Sequence, residues 1–266
     1  MWNDVLIATL VVFAISLVLG VLLALFIRFF GIEDDEKVKN IKCALPGANC
    51  GACGYKGCAD YAEALAAGKA EPSLCVPGGE STATALGDIL GVNVEAAGKK
   101  VAVVHCNGVA SATSKKAEYH GISSCKACSM LYGGDGACAY GCLGCGDCAA
   151  VCPTNAICLD DGIARINKEL CTGCGACAKA CPKGIISAVP ADATTVVACS
   201  NKDKGADARR ACKVACIACR KCEKTCPFGA VSVKDNCATI DYSKCTGCGA
   251  CAECCPTGAI KQIKTV

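Results

Sequence analysis

Apolar positions open this chain as one unbroken stretch and later recur as short runs between segments rich in glycine and cysteine. Residues Val5 to Ile27 contain no charged residue, and a helix of about 20 apolar residues spans a bilayer. No Lys or Arg precedes the stretch, so we expect a membrane anchor rather than a cleaved signal peptide. The nearest basic residues all follow it: Arg28, Lys37, Lys39 and Lys42. The positive-inside rule then predicts that the rest of the chain lies in the cytoplasm.

Beyond the anchor, the pattern predicts short elements. Residues Gly57 to Ala67 have apolar positions one turn apart and are followed by Gly68, which indicates a helix that ends there. A second helix is predicted over Ala83 to Leu90, and a buried strand over Val101 to Val104. Two hairpins are predicted further on. The first joins Ala156–Leu159 to Ile163–Ile166 through Asp160-Asp161-Gly162, and the second joins Ala230–Val233 to Thr239–Asp241 through Asp235-Asn236.

The spacing of the cysteines is the most informative feature of the rest of the chain. The chain has 30 cysteines in 266 residues, and four runs read C-x2-C-x2-C-x3-C-P, at Cys142–Cys152, Cys171–Cys181, Cys216–Cys226 and Cys245–Cys255. This spacing is the ligand pattern of bacterial two-cluster [4Fe–4S] ferredoxins. Runs one and two are separated by the same interval as runs three and four, which predicts two ferredoxin units in tandem. Zinc sites use pairs of cysteines, so zinc and a disulfide scaffold are the weaker interpretations.

In such runs the first three cysteines hold one cluster and the fourth holds its neighbour. The predicted sets are Cys142, Cys145, Cys148 with Cys181; Cys171, Cys174, Cys177 with Cys152; Cys216, Cys219, Cys222 with Cys255; and Cys245, Cys248, Cys251 with Cys226. Thiolate ligands and iron require a reducing compartment. Aromatic residues are only 5% of the chain, so we expect the clusters to contribute much of the folding free energy.

A different pattern precedes these runs, in LPGANCGACGYKGC and the cysteine that follows it. Its candidate ligands are Cys50, Cys53, Cys58 and Cys75. A zinc knuckle is the alternative, but the neighbouring runs favour a fifth [4Fe–4S] cluster. The expected cofactors are therefore at least five [4Fe–4S] clusters.

Four further cysteines, Cys106, Cys125, Cys128 and Cys138, could hold a sixth cluster or could be free buried thiols. Cys199 and Cys212 precede the third run much as Cys106 and Cys138 precede the first, which suggests that the duplication included this leading segment. The sequence indicates no firm role for Cys43, Cys158, Cys199, Cys212, Cys237 or Cys254.

These patterns predict an α+β protein. Its parts are a transmembrane anchor (residues 1–30), a four-cysteine module (31–80), a connecting segment (81–138), ferredoxin unit one (139–190) and ferredoxin unit two (191–266). The sequence contains neither G-x-G-x-x-G nor G-x-x-x-x-G-K-[ST], so we predict no nucleotide site. We also expect no nucleic-acid partner.

Charge is unevenly placed around the third run. Residues 201–224 contain eight basic side chains against three acidic ones, Asp203, Asp207 and Glu223. The basic residues are Lys202, Lys204, Arg209, Arg210, Lys213, Arg220, Lys221 and Lys224. They could balance the negative charge of nearby clusters, or they could attract an acidic partner such as a soluble ferredoxin.

The anchor, the LPGANCGACGYKGC module, VHCNG, CAYGCLGCGDCAAVCPTNAI and the tandem runs together resemble the B subunit of the Rnf complex, an ion-translocating ferredoxin oxidoreductase. The resemblance covers essentially the whole chain. It implies a membrane-bound electron carrier that forms part of a ferredoxin:NAD+ oxidoreductase, with soluble ferredoxin as donor and other membrane and peripheral subunits as partners. NAD+ would be reduced on another subunit, with Na+ or H+ moved outward.

The sequence also fits other functions. The chain could be a membrane-tethered polyferredoxin of a hydrogenase or other reductase, or part of an Rnf-type complex that delivers electrons to a membrane-soluble carrier. It could also be an iron–sulfur storage or assembly protein, which would not exchange electrons with ferredoxin.

Overall fold

The computed structural model describes residues 2–30, 35–94 and 98–263. The helices there are α1 (Trp2–Phe30), α2 (Glu36–Ala44), α3 (Cys58–Ala66), α4 (Gly79–Leu90), α5 (Cys125–Met130), α6 (Asp147–Ala150), α7 (Ala176–Ala180), α8 (Gly205–Ala211), α9 (Lys221–Thr225) and α10 (Ala250–Glu253), with a 3-10 turn at Pro72–Leu74. The strands are β1 (Lys100–Val104), β2 (Ile157–Asp160), β3 (Ile163–Ile166), β4 (Ile186–Pro190), β5 (Thr195–Val197), β6 (Val231–Lys234), β7 (Cys237–Ile240) and β8 (Ile260–Gln262).

Helix α1 contains the predicted apolar stretch. Its segment Val5–Phe26 is long and apolar enough to cross a membrane, and none of it is buried against the rest of the protein. Among the described residues it is the one helix that meets these criteria of length and composition. In length and composition this segment suits the apolar core of a lipid bilayer, which a helix of about 20 apolar residues spans.

Helices α2, α3 and α4 form the N-terminal module around a small core. Ile41, Tyr61 and Leu86 are almost completely buried there, and the Tyr61 hydroxyl donates to the Glu71 carbonyl at 2.6 Å. Helix α3 matches its predicted range within one residue at each end. Helix α4 begins four residues earlier than predicted, because its first turn is polar and its apolar spacing starts only at Ala83. Buried Thr82 in that turn donates to the Ala44 carbonyl, which secures α4 to α2.

Both predicted hairpins are present. Strands β2 and β3 pair antiparallel from Ile157–Ile166 to Asp160–Ile163, and β6 and β7 pair from Val231–Ile240 to Lys234–Cys237. The two residues of each turn have positive φ, as a tight hairpin turn with the twist of its strands requires. Each hairpin begins one residue later than predicted at its first strand. Strand β7 begins two residues earlier than predicted, because the ladder continues up to the turn.

A second strand pair closes each ferredoxin unit. Strand β1, from the segment predicted to connect the N-terminal module to unit one, pairs antiparallel with β4, and β5 pairs with β8. Each ferredoxin unit therefore has a leading strand that pairs with its final strand, and β1 is counted with unit one. Val101 and Val103 of β1 therefore share a core with Ile157 and Ile185 of unit one. In unit two, Val197, Val231 and Ile260 form the corresponding core. The two units thus have the same plan from leading strand to last strand.

Unit one also contacts the N-terminal module. The Lys179 ammonium donates to the Gly51 carbonyl at 3.1 Å. Gly173, with φ +69°, lies so close to β1 that a Cβ there would be 2.3 Å from the Lys100 carbonyl oxygen and 3.4 Å from Val76. Glycine is therefore required where the second cysteine run meets β1.

Candidate iron–sulfur sites

The N-terminal module brings its four predicted ligands together. Burial raises the pKa of the Cys75 thiol above its usual range, and the thiols of Cys58, Cys50 and Cys53 lie near enough to raise it further. Cys58 stands at the start of α3, and its backbone N–H donates to the Asn49 side chain at 2.8 Å. This bond ties the glycine-rich loop that carries Cys50 and Cys53 to the helix that carries Cys58.

The second site of unit one joins the second run to the fourth cysteine of the first run. Burial raises the pKa of Cys177 to about 11, and Cys171, Cys174 and Cys152 contribute further increases. The Ala102 amide donates to Cys171 Sγ, and the Ala156 amide donates to Cys152 Sγ, both at 3.3 Å. Amides aimed at sulfur stabilise thiolates and tune the potential of a bound cluster.

Unit two shows the same arrangement. Cys216, Cys219, Cys222 and Cys255 line one cavity of about 20 Å³. At the other site, burial raises the pKa of Cys251 to about 11, and Cys245, Cys226 and Cys248 are its near thiol neighbours. In both units, therefore, the fourth cysteine of a run lies with cysteines of the other run.

The first site of unit one differs from this pattern. Its cavity, also about 20 Å³, is lined by Cys142, Cys148 and Cys181, but the fourth cysteine is Cys125 rather than Cys145. Burial raises the pKa of Cys145 to about 12, and the nearby thiols of Cys125 and Cys128 raise it further. Cys125 and Cys145 are thus neighbouring candidates for the same ligand position.

Asp147 holds Cys125 in this position. Its carboxylate accepts the backbone N–H groups of Cys125 and Lys126 and the Ser124 hydroxyl, each at 3.0 Å. Burial opposes ionisation of Asp147, yet these hydrogen bonds outweigh it and lower the carboxyl pKa. Because Asp147 lies within the first run, it fixes the start of α5 against that run.

The four cysteines predicted for a sixth cluster are not brought together. Cys106 and Cys138 line one cavity, whereas Cys125 and Cys128 lie beside Cys145. The cavity at Cys106 and Cys138 is completed by Cys199 and Cys212 from the segment that leads into unit two. The sequence signal for this grouping was the correspondence between the two leading segments.

Four cysteines belong to none of these groups. Cys43 and Cys158 are exposed. Cys254 donates to the Cys251 carbonyl at 3.5 Å. The Cys237 thiol donates to the Cys199 carbonyl at 3.3 Å, and its hydrogen bonding lowers the pKa of Cys199 to about 7 and of Cys216 to about 6.

Neither histidine is placed as a ligand. His105 Nδ1 lies 2.6 Å from the Val197 carbonyl and Nε2 lies 2.6 Å from the Ser187 hydroxyl, so both ring nitrogens have hydrogen-bond partners. His120 is exposed beside Glu118. His105 instead links the end of β1 to β5 and β4, which joins the two ferredoxin units.

Family models match the chain in four places. Residues 45–77 match a family described as "Putative Fe-S cluster", and residues 141–185 match a 4Fe-4S dicluster domain. Residues 216–230 and 238–261 each match a 4Fe-4S binding domain. All twenty predicted ligands of the first five clusters fall inside these ranges.

Relatives that align with more than nine tenths of this chain show the family to which it belongs. The B subunit of the Na(+)-translocating ferredoxin:NAD(+) oxidoreductase complex of Acetobacterium woodii is 42% identical and covers 92% of this chain and 74% of its own length. The B subunit of the proton-translocating ferredoxin:NAD(+) oxidoreductase complex of Clostridium ljungdahlii is 41% identical over 91% of this chain and 86% of its own length. The B subunit of the ion-translocating oxidoreductase complex of Methanosarcina acetivorans is 40% identical over 92% and 93%.

The chain belongs to the B-subunit family of ion-translocating oxidoreductase (Rnf) complexes. The resemblance stated from its sequence motifs is thereby confirmed. Members of this family are iron–sulfur, electron-carrying subunits of membrane-associated complexes, and the ferredoxin domains found here fit that role. The matched domain ranges of this Rnf protein leave out Cys106, Cys125, Cys138, Cys199 and Cys212.

All eight basic side chains around the third run of this Rnf protein are exposed. Two of them pair with acidic neighbours, Arg210 with Asp207 at 3.2 Å and Arg220 with Glu223 at 3.9 Å. Cys219, in the same run, is one of the few exposed cysteines of the predicted ligand sets, and Arg220 and Lys221 follow it directly. A cluster bound here would therefore have its edge at a positively charged surface.

Proposed function

We propose that this Rnf protein accepts single electrons from reduced soluble ferredoxin and relays them through at least five [4Fe–4S] clusters to partner subunits of an ion-translocating complex. The observation that carries the proposal is the exposed Cys219 within the basic surface around the third run. Electron transfer between proteins requires a cluster near the surface and a partner that docks only briefly. Opposite charges produce fast and transient docking of this kind.

The arrangement of the sites supports a direction for the relay. Unit two carries the basic surface, unit one lies between, and the N-terminal module contacts unit one through Lys179 and Gly51. Helix α2 of that module begins at Glu36, only a few residues after α1 ends at Phe30. Electrons would therefore enter at unit two, far from the anchor along the chain, and leave near the membrane, where integral partner subunits reside.

The anchor supports a single-pass topology with the iron–sulfur body on the cytoplasmic side. The basic residues nearest to α1 are Arg28, Lys37 and Lys39, all after the apolar stretch. A reducing cytoplasm also keeps cluster thiolates from forming disulfides. On this side of the membrane, soluble ferredoxin and NAD+ are both accessible.

The final acceptor is proposed to be NAD+, reduced on another subunit, as the names of two relatives state NAD+ for their own complexes. The coupling ion does not follow from similarity. The relative named for Na+ and the relative named for protons are 42% and 41% identical to this chain. Partner subunits, rather than this chain, would then set the ion that moves.

The proposal is tested in inverted membrane vesicles that contain the whole complex. The double substitution Cys216→Ser/Cys255→Ser removes two ligands of one site beside the basic surface. We expect ferredoxin-dependent NAD+ reduction to fall at least tenfold while the partner subunits still co-purify. Exposed Cys43 lies outside every proposed ligand set, so Cys43→Ser is the matched control and should retain full activity. Retained activity in the double variant would refute the proposed entry route.

A further inference from the structure

The two segments that lead into the ferredoxin units carry equivalent cysteines. Cys106 follows strand β1 and Cys199 follows strand β5, and each of these strands pairs with the last strand of its own unit. Cys138 stands one position before Ala139-Tyr140-Gly141-Cys142, and Cys212 stands one position before Lys213-Val214-Ala215-Cys216. Each unit thus supplies one cysteine after its leading strand and one just before its first run.

All four of these cysteines line a single cavity between the units. A Cβ on Gly108 would lie 3.5 Å from Cys212 Sγ and 3.6 Å from Cys106 Sγ, so thiols of different units approach the same glycine. Asn201, which is 1% exposed, donates from its side chain to Cys138 Sγ at 3.3 Å and from its backbone to Cys199 Sγ at 3.5 Å. One buried residue therefore orients a thiol from each unit.

The cavity has the size and covering of a cluster site. Its volume is about 40 Å³, compared with about 20 Å³ at each of the cavities of runs one and three. Ala198 and Ala215 line it, and Ala112 and Ala208 are buried with Cys212 and Ala215 in one apolar cluster. The Thr113 hydroxyl donates to the Ala211 carbonyl across the two segments at 2.9 Å. Small, apolar walls leave room for a cofactor and exclude water from it.

The donor set is that of a cubane cluster rather than of a single ion. Among the described residues, no carboxylate or lysine lines the cavity, and its histidine, His105, uses both ring nitrogens elsewhere. In the described ranges, no three His, Cys, Asp or Glu side chains are close enough to bind one shared metal ion. The four thiolates of a cubane bind four different irons and therefore stand farther apart.

Backbone amides are also aimed at these sulfurs as at the other sites. The Cys142 N–H donates to Cys106 Sγ at 3.4 Å, and the Cys216 N–H donates to Cys199 Sγ at 3.2 Å. These two hydrogen bonds occupy equivalent places in the two units. They also connect the cavity directly to the first cysteine of run one and the first cysteine of run three.

We propose that Cys106, Cys138, Cys199 and Cys212 bind a further [4Fe–4S] cluster that lies between the two ferredoxin units and carries electrons from one to the other. The binding site stands on the geometry alone, whereas the electron path rests on the proposed function. Cys125 and Cys128 have no part in it.

Native mass spectrometry of the full anaerobic chain tests the site without any variant. The mass should correspond to about six [4Fe–4S] clusters, hence about 24 irons. The pairs Cys106→Ser/Cys199→Ser and Cys138→Ser/Cys212→Ser should each lose about four irons, while the control pair Cys43→Ser/Cys158→Ser loses none. A parent mass that fits only five clusters, or either ligand pair retaining the parent iron content, would overturn the site.

Rapid reduction by ferredoxin then tests the path. In the Cys106→Ser/Cys199→Ser variant we expect fast bleaching of the unit-two clusters and at least tenfold slower bleaching of the rest. Fast bleaching of all remaining clusters would overturn the role in electron transfer while leaving the binding site intact. If the parent were not reduced by ferredoxin at all, the proposed function would fail, but the iron count would still decide the site.

Discussion

The Asp147 carboxylate accepts the backbone N–H of Cys125 at 3.0 Å, although the two residues belong to different segments of the chain. This bond places Cys125 at the cavity of the first run, where it is the fourth lining cysteine, as Cys219 is in the cavity of the third run. Position 221, which corresponds to Asp147 in the third run, is a lysine. The two units therefore have the same arrangement of elements but differ in the fourth cysteine of one site, which comes from within the run in unit two and from α5 in unit one.

Cys125 and Cys145 can be separated by substitution. Because Cys125 lines the cavity, Cys125→Ser should lose about four irons, whereas Cys145→Ser should keep the parent content. Anaerobic iron and sulfide analysis measures both. The reverse result, with iron lost only in Cys145→Ser, would restore the regular C-x2-C-x2-C ligand set.

Helix α1 should be separable from the cluster-binding body. Every proposed ligand follows α1, and no part of the span Val5–Phe26 is buried against the rest. Deleting Met1 to Phe30 should therefore give a soluble brown protein with the iron content of the detergent-purified full chain. A truncated chain that cannot retain its clusters would mean that α1 also stabilises the fold.

The basic surface should govern the encounter with ferredoxin. Replacing Arg209 and Arg210 by Glu should lower the bimolecular rate about tenfold or more at low salt and flatten its dependence on ionic strength, since exposed charges are screened within a Debye length. Stopped-flow spectroscopy at several salt concentrations measures this. The loss of the exposed Arg210–Asp207 pair should cost at most about 1 kcal/mol of stability, so the clusters should remain.

Lys56→Glu/Lys69→Glu on the N-terminal module is the matched control, since both side chains are exposed and far along the chain from the third run. It should leave the rate and the salt dependence unchanged. An effect confined to this control pair would move the docking site to the N-terminal module.

The close contact between the second run and β1 should be sensitive to one methyl group. In Gly173→Ala, the new Cβ would clash with the Lys100 carbonyl oxygen, and the alanine would also have to keep the positive φ of the glycine. Gly184→Ala has positive φ of +60° but no atom within 4 Å of the new Cβ, so it should cost only about 1–2 kcal/mol. Loss of cluster absorbance on heating should occur at a clearly lower temperature for Gly173→Ala. Equal temperatures would mean that β1 moves away without cost.

The elements that carry a local signal could be predicted from the sequence. The apolar run of α1, the helix at Cys58–Ala66 and both hairpins follow from periodicity and turn residues over a few positions. Strands β4, β5 and β8 were not predicted, because each is short and is defined by a partner distant in the chain. Helix α8 was also missed, since only Ala208 of its residues is buried and no apolar stripe marks it.

The spacing of the cysteines also predicted the groups within the four runs. It did not predict how cysteines outside the runs come together. The ligand sets of the runs follow from intervals of two and three residues, and the structure gathers them with the one exception at Cys145. The grouping of Cys106 with Cys199 depends on how two units pack, which no interval along the chain encodes. Comparison of the duplicated segments was the available signal. It related Cys106 and Cys138 to Cys199 and Cys212 but did not indicate that they line one cavity.

We propose that this chain takes electrons from ferredoxin and distributes them over all of its clusters. A stopped-flow spectrometer measures how many electrons the purified, cluster-complete chain rapidly accepts from excess reduced ferredoxin. One electron per cluster predicts about six electrons per chain. Clusters that are present by iron analysis but stay oxidised under these conditions would contradict this role in electron transfer.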